Sequence, residues 1–89
     1  MKVKLELFGA NRDLSDKDFI EFNLESKSSL KNLKKEILSY VDQNFKGNEN
    51  FKKIIETSAF CSEDNNIIYN NYKITKDQKI GIIPPIGGG

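Results

Sequence analysis

The chain has 89 residues, of which 37% are hydrophobic and 30% charged, enough for one hydrophobic core but not for two. Fourteen Lys and Arg residues face thirteen Asp and Glu residues, so the strong positive field of a nucleic-acid or anionic-membrane binder is missing. A core this small also argues against a deep catalytic cleft. The composition therefore favours a carrier or binding module over a self-sufficient enzyme, with neither nucleic acid nor membrane as its partner.

The chain contains one cysteine, Cys61, and no histidine. One thiol cannot form an internal disulfide, and the residues after Met1 show no apolar signal segment or membrane span, so we expect a cytoplasmic protein. The absence of histidine argues against a protein-built metal site. Cys61 falls in a predicted strand with no basic neighbour to activate it, and we expect it to be buried and unreactive.

The first elements predict a β-hairpin. Residues 2–8 alternate apolar and charged side chains, the pattern of a half-buried strand. Residues 9–17 carry turn residues, and residues 19–24 predict the returning strand.

An amphipathic helix is predicted next. Ser28 or Ser29 is a suitable N-cap, and Gly47 follows the last apolar residue, where a left-handed residue ends a helix. Between them, apolar residues recur at helical spacing on one stripe: Leu30, Leu33, Ile37, Leu38, Val41 and Phe45.

The second half predicts shorter elements. These are a short helix at 51–56, a strand at 57–61, a turn at 62–66, apolar pieces at 67–69 and 72–74, a turn at 76–78 and a last strand at 79–83. The order predicts an α+β fold of the β-grasp (ubiquitin-like) type, a mixed sheet packed against one main helix. In that topology the last strand is central and parallel to the first. We expect a domain at 1–83 and a C-terminal tail at 84–89.

The tail carries the predicted chemistry. Pro84 and Pro85 cannot donate to a sheet, so they end the strand and hold the chain extended. Gly87, Gly88 and Gly89 have no side chains and could enter a tunnel too narrow for a Cβ atom. A carboxylate at the tip becomes an electrophile once a partner converts it to an acyl-adenylate with ATP. The alternative interpretation is a frayed end without function.

Over nearly its whole length the chain resembles the MoaD/ThiS family of ubiquitin-like sulfur carriers, and within it the small subunit of molybdopterin synthase. Two segments carry the resemblance. Leu7-Phe8-Gly9-Ala10-Asn11-Arg12-Asp13-Leu14 is similar to the family's Phe-Ala-x-x-Arg-Glu-Leu opening, and Ile82-Ile83-Pro84-Pro85-Ile86-Gly87-Gly88-Gly89 is similar to its Pro-Pro-Val-x-Gly-Gly ending. The resemblance implies that an E1-like enzyme adenylates Gly89 and that a sulfurtransferase converts it to a thiocarboxylate. The large synthase subunit would then use this sulfur for the molybdopterin dithiolene.

Carried over by the resemblance, Gly89 is the acyl site, and Ile86, Gly87 and Gly88 thread into the partner. Phe8, Arg12, Pro84 and Pro85 are expected at the partner-facing surface. The chain would not be catalytic alone and would hold no permanent cofactor, and a heterotetramer with a large-subunit dimer is implied. The segments 59–61 and 77–80 depart from the family's usual Ala-Val-Asn and Gly-Asp-Glu-Val, and Gly87 replaces its Ser, Thr or Ala.

Three other functions stay open from the sequence. The carrier could feed thiamine, cysteine or tungsten-cofactor synthesis, or Gly89 could become joined to lysines of other proteins, as in a ubiquitin-like modifier. The chain could also be a plain β-grasp binding module with an incidental glycine end.

Overall fold

The computed structural model describes residues 1–85, so Ile86 and the three terminal glycines lie outside the described residues. Two α-helices, α1 (Leu30–Phe45) and α2 (Glu49–Thr57), and a 3-10 helix (Gly9–Leu14) accompany seven strands. The strands are β1 (Lys2–Leu7), β2 (Phe19–Asn23), β3 (Ser28–Ser29), β4 (Ala59–Cys61), β5 (Ile67–Ile68), β6 (Lys73–Ile74) and β7 (Gln78–Ile83). No helix in residues 1–85 is long and apolar enough to cross a membrane.

Five strands form one mixed sheet in the order β2-β1-β7-β4-β5. The hairpin partners β1 and β2 are antiparallel, while β7 lies in the centre and pairs in parallel with β1, Leu5 facing Ile80. On its other side β7 pairs antiparallel with β4. The prediction of a β-grasp sheet with a central, parallel last strand is confirmed.

The core lies between this sheet and α1. Alternation points every second residue of β1, β2 and β7 towards the helix, and these inward residues are buried with the helical stripe. Within that stripe Leu30, Leu33, Ile37 and Val41 are fully buried, while Leu38 and Phe45 are half-buried at its margin. One face of the sheet is thus covered. We call the other, uncovered face the open face.

Local hydrogen bonds explain the ends of α1. The Ser29 N–H donates to Asn32 Oδ1 at 2.8 Å, which closes the N-terminus. At the C-terminus Lys46, rather than Gly47, is the first left-handed residue, with φ 53°. Gly47 follows with φ 68°, and its N–H donates to the Val41 carbonyl at 3.2 Å. The predicted helix is confirmed, and its left-handed end residue comes one position earlier than predicted, at Lys46.

One local prediction was wrong, one was too short, and one strand pair was not predicted, while the predicted N-cap at Ser29 is confirmed. Residues 9–14 form a 3-10 helix instead of an open turn, because Leu14 and Asn11 are buried there and their packing fixes the backbone. Ser28 and Ser29 also form β3, which pairs with β6 in a second, two-stranded sheet. The helix predicted at 51–56 extends over Glu49–Thr57, which removes Thr57 from the predicted strand.

Candidate functional site

The candidate site lies where β7 delivers the chain to its tail. Because β7 is parallel to β1, both strands end at the same edge of the sheet, and the 3-10 helix begins there directly after β1. Pro84 follows β7 and is half-buried, and Pro85 is exposed. The topology therefore brings the predicted residues Phe8, Arg12 and Pro84 to one end of the molecule.

Gly9 is the contact point between the opening segment and the tail. Its φ of +55° is one that side-chain-bearing residues rarely adopt, and a Cβ atom there would lie 2.6 Å from Pro84 Cγ. No side chain fits without moving the proline. Gly9 thus lets Pro84 pack directly on the backbone, which fixes the direction in which the chain leaves β7.

Phe8 lies on the open face and is 41% exposed. Its ring covers Gly81 of β7, where a Cβ atom would be 3.1 Å from Phe8 Cε2 and 2.8 Å from Cys61 Sγ. The missing side chain at Gly81 therefore leaves a shallow depression in the sheet, and the Phe8 ring packs into it. The surrounding outward side chains are apolar as well, as expected from the register that places Ala59 beside Ile83 and Cys61 beside Ile67.

We call this surface the apolar half of the open face; it consists of Phe8, Ala59, Cys61, Ile67, Gly81 and Ile83. Ile67 is 51% exposed, and its place in a contiguous apolar patch is what distinguishes it from a scattered surface side chain. Cys61 belongs to it and is half-buried, so its predicted burial was wrong. Phe60 takes the inward position in β4, and its neighbour must point outward.

The rest of the open face is mostly charged and polar, with the Phe19 ring among these side chains. Lys79 Nζ lies 3.1 Å from Glu6 Oε2, and Lys4 Nζ lies 4.3 Å from the centre of the Phe19 ring. Lys2 and Glu21 continue this charged half towards β2. Exposed pairs of this kind add little stability, so their main effect is to set the electrostatic pattern around the apolar half.

Arg12 projects from the 3-10 helix and pairs with Asp18 at 2.7 Å, with 62% of the Arg12 side chain exposed. Asn11, which is buried, anchors this helix by donating to Ser58 Oγ at 3.2 Å. Arg12 and Phe8 line one groove together with Gly9, Asp18 and Lys79. The structure therefore brings two of the four predicted partner contacts, Phe8 and Arg12, to a single groove, next to a part-buried hydrogen bond that holds the 3-10 helix.

Sequence reasoning missed Gly81, Asp18 and the Glu6–Lys79 pair. Gly81 could have been found from strand alternation, because Ile80 and Ile82 point inward and leave it on the open face. A charged pair away from this site joins α1 to α2. There the hydrogen bond from Lys52 to Asp42 raises the pKa of Lys52 above its ordinary value.

Residues 1–85 contain no group of three acidic, cysteine or histidine side chains arranged to hold a metal ion. The predicted acyl site, Gly89, and the predicted threading residues Ile86, Gly87 and Gly88 lie outside the described residues.

Comparison with known proteins places the fold. The chain is similar to a Pyrococcus furiosus protein titled "Putative molybdopterin converting factor, subunit 1", with a TM-score of 0.69 and 22% identity over 96% of this chain and 98% of that one. It is also similar to SAMP1 from Haloferax volcanii, with a TM-score of 0.71 and 8% identity over the full length of both chains. No protein-family profile and no curated protein sequence matches. At these identities the likeness establishes a shared β-grasp fold.

Proposed function

We propose that this chain is a sulfur carrier of the molybdopterin synthase small-subunit type, which receives sulfur on the carboxylate of Gly89 and delivers it to a larger partner. One observation carries the proposal. The central strand β7 runs into Pro84, which packs on Gly9 beside the exposed Phe8. A tail that begins at a fixed point next to an apolar contact surface suits a carboxylate that must be presented to another protein's active site.

The proposed chemistry takes place on partner enzymes. A Gly89 carboxylate oxygen attacks the α-phosphorus of ATP on an E1-like enzyme, and pyrophosphate leaves. A sulfur nucleophile on a sulfurtransferase then attacks the acyl carbon and displaces AMP. If the donor is a persulfide, the first product is an acyl disulfide; a second thiol then attacks the sulfurtransferase sulfur, releases the thiocarboxylate and is itself oxidised to a disulfide with that enzyme. The product is a thiocarboxylate, with one sulfur in place of one carboxylate oxygen.

Delivery to the large subunit uses the apolar half of the open face. Burial of Phe8 and Ile67 in an interface would remove two exposed apolar side chains from water, and this favours association. Arg12 and Lys79 lie at the margin of this patch, where charges set orientation and association rate more than affinity. We include in the proposal a heterotetramer with a large-subunit dimer, and the cytoplasm as the compartment.

The choice of pathway rests on two points. The Pro84-Pro85 pair before the glycines matches the molybdopterin carriers more closely than the thiazole-forming ones, and the name of the Pyrococcus furiosus protein points to the same cofactor. These points favour molybdopterin over thiamine synthesis as the destination of the sulfur, and cysteine or tungsten-cofactor synthesis remain the alternatives.

The test is the intact mass of the protein after incubation with ATP, an E1-like activator and a sulfur source. We expect a gain equal to the exchange of one oxygen for one sulfur. Deletion of Gly89 should abolish it, because the new terminal carboxylate lies one residue short of the activator's catalytic groups. Gly87→Ala is the matched control and should still be loaded, since the similar carriers often have Ala there.

Two results would contradict the proposal. An unchanged mass with an activator shown to work on another carrier would exclude the thiocarboxylate step. A Gly89 isopeptide bond to lysines of other proteins, without any thiocarboxylate, would identify a modifier instead.

A further inference from the structure

The outer edge of β2 is a second, separate surface that the sulfur chemistry does not use. β2 is an end strand of the five-stranded sheet, and no strand of residues 1–85 pairs with its outer side. At the opposite end of the sheet the edge strand β5 has two residues, whereas β2 has five. Long unpaired edges invite pairing with another chain unless charges, prolines or bulges block them.

The backbone of β2 is ready to accept another strand. Leu7 N–H donates to the Asp18 carbonyl, and Leu24 N–H donates to the Met1 carbonyl, both at 2.8 Å. Antiparallel bonding alternates along the strand, so the residues between these two positions that bond inward are Ile20 and Phe22. The N–H and C=O groups of Phe19, Glu21 and Asn23 therefore point to the free edge. No proline lies in this strand to block it.

A groove runs beside this edge, between β2 and the C-terminal half of α1, with a volume of about 660 Å³. Its floor contains Ile20 and the half-buried rings of Tyr40 and Phe45, whose centres lie 6.0 Å apart. The Tyr40 hydroxyl donates to the Leu14 carbonyl at 2.7 Å, which fixes that ring. The floor is thus apolar and preformed, and it lies on the side of the sheet towards which every second residue of an added strand would point.

The rim of the groove is acidic. Asp13, Asp16 and Glu21 are exposed along it, against one lysine, Lys17. The strand already bound to the inner side of β2 offers a precedent, because β1 alternates lysines with apolar residues and places Lys4 opposite Glu21. An alternating basic and apolar segment would satisfy the outer side in the same way.

We propose that the outer edge of β2 and its groove bind an extended segment of a partner protein in which apolar and basic residues alternate, and that this segment joins the sheet as a further strand. Backbone bonds to Phe19, Glu21 and Asn23 supply the affinity, and the acidic rim selects the basic residues. A second copy of this chain fits less well. A two-fold antiparallel pair of β2 strands centred on Glu21 would set two carboxylates opposite each other. Because β1 separates this edge from β7, the segment and the tail's partner can bind together.

The test is a titration of the isotope-labelled full chain with the capped peptide Lys-Val-Lys-Ile-Lys-Val-Lys, followed by NMR. We expect saturable shifts at the amides of Phe19, Glu21 and Asn23 and slower hydrogen exchange there. The peptide Glu-Val-Glu-Ile-Glu-Val-Glu should bind at least tenfold more weakly, because its charges repel the rim. Saturable shifts centred on Phe8 and Lys79 instead, or no saturable shift at all, would overturn the proposal.

Variants separate backbone pairing from charge. Glu21→Pro removes an outward N–H without removing an inward ladder bond and should abolish binding. Glu21→Lys keeps that N–H and leaves the rim with two acidic and two basic side chains, so it should remove the preference for the basic peptide. This variant keeps the test decisive if the proline variant does not fold.

The rim is tested by a matched pair of double variants. Asp13→Asn with Asp16→Asn should weaken binding of the basic peptide about fivefold. Glu25→Gln with Glu36→Gln removes the same charge from exposed positions elsewhere and should leave binding unchanged. Equal effects of the two double variants, or a wild-type dimer in solution that Glu21→Pro dissociates, would contradict a basic partner segment.

Discussion

The two faces of the five-stranded sheet show how one set of strands serves stability and recognition separately. The face towards α1 is filled with aliphatic residues such as Leu5, Ile80 and Ile82, all fully buried. The open face carries Gly81, a half-buried cysteine and the exposed Phe8 on the same strands or next to them. The difference teaches that the covered face determines the fold, while the open face is free to carry exposed apolar groups where the tail begins.

Ile80→Ala should produce the largest change in stability. It tests whether the covered face determines the stability of the fold independently of the open face. It removes buried methyl and methylene groups from the central strand, so we expect a loss of about 2–5 kcal/mol in the free energy of unfolding. Urea denaturation measures this directly. Sulfur loading of the remaining folded fraction should be unchanged, and a loading defect in fully folded protein would show that the two faces are coupled.

Gly9→Ala tests the junction between the opening segment and the tail. The left-handed φ of +55° and the 2.6 Å approach to Pro84 both oppose a methyl group, and we expect a loss of about 1–3 kcal/mol. Gly47→Ala is the matched control. It has a φ of +68°, and a Cβ atom there would meet only the flexible side chains of Asp42 and Lys52, so it should destabilise the protein without changing the NMR signals of Pro84 and Pro85. Unchanged proline signals in Gly9→Ala would contradict the proposed fixed exit.

Phe8→Ala tests whether the open face contributes to partner binding and little to stability. The ring is exposed and rests on a glycine, so its removal should cost less than about 1 kcal/mol of stability. Binding of the large subunit, measured by calorimetry, should weaken about tenfold or more if this ring anchors the interface. Tyr69→Ala removes a more exposed aromatic ring, 71% accessible, from outside the apolar half. It should leave affinity unchanged, and equal effects of the two substitutions would place the interface elsewhere.

Arg12→Ala should have the smallest effect. Its ion pair with Asp18 is exposed, so we expect a stability change below about 1 kcal/mol. The association rate with the large subunit should fall at low salt and approach that of the unmodified protein as added salt screens the charges. A rate defect that persists at high salt would point to a direct, buried contact for Arg12.

Alternation and helical spacing were sufficient to predict the sheet, α1 and the central position of β7. In each case one face of the strand or helix is buried in the core along its whole length, so the apolar pattern is repeated over many residues. The two-residue strands β3 and β6 were not predictable as a pair, because two residues cannot show a period and their pairing depends on how the chain returns. The 3-10 helix was not predicted for a related reason: its buried residues are Leu14 and Asn11 alone, and two residues show no period.

The candidate site was predicted only in part. Phe8, Arg12 and Pro84 came from a resemblance, and the parallel pairing of β1 with β7 explains why they meet. Cys61 was predicted to be buried because of its residue type. Its neighbour Phe60 points into the core, and side chains alternate along a strand, so Cys61 points to the open face. The acidic groove beside β2 combines a loop, a strand and a helix, and no local pattern brings these together.

The most direct test of the account is the fate of sulfur on a loaded chain. Thiocarboxylated protein is mixed with the large synthase subunit and the dithiolene precursor, and the intact mass of the chain is followed as molybdopterin forms. The account predicts that the mass returns to that of the carboxylate form as product appears, and that Phe8→Ala slows this return once loading is complete. A mass that keeps its sulfur while molybdopterin forms, or a loaded chain from which no product arises, would contradict it.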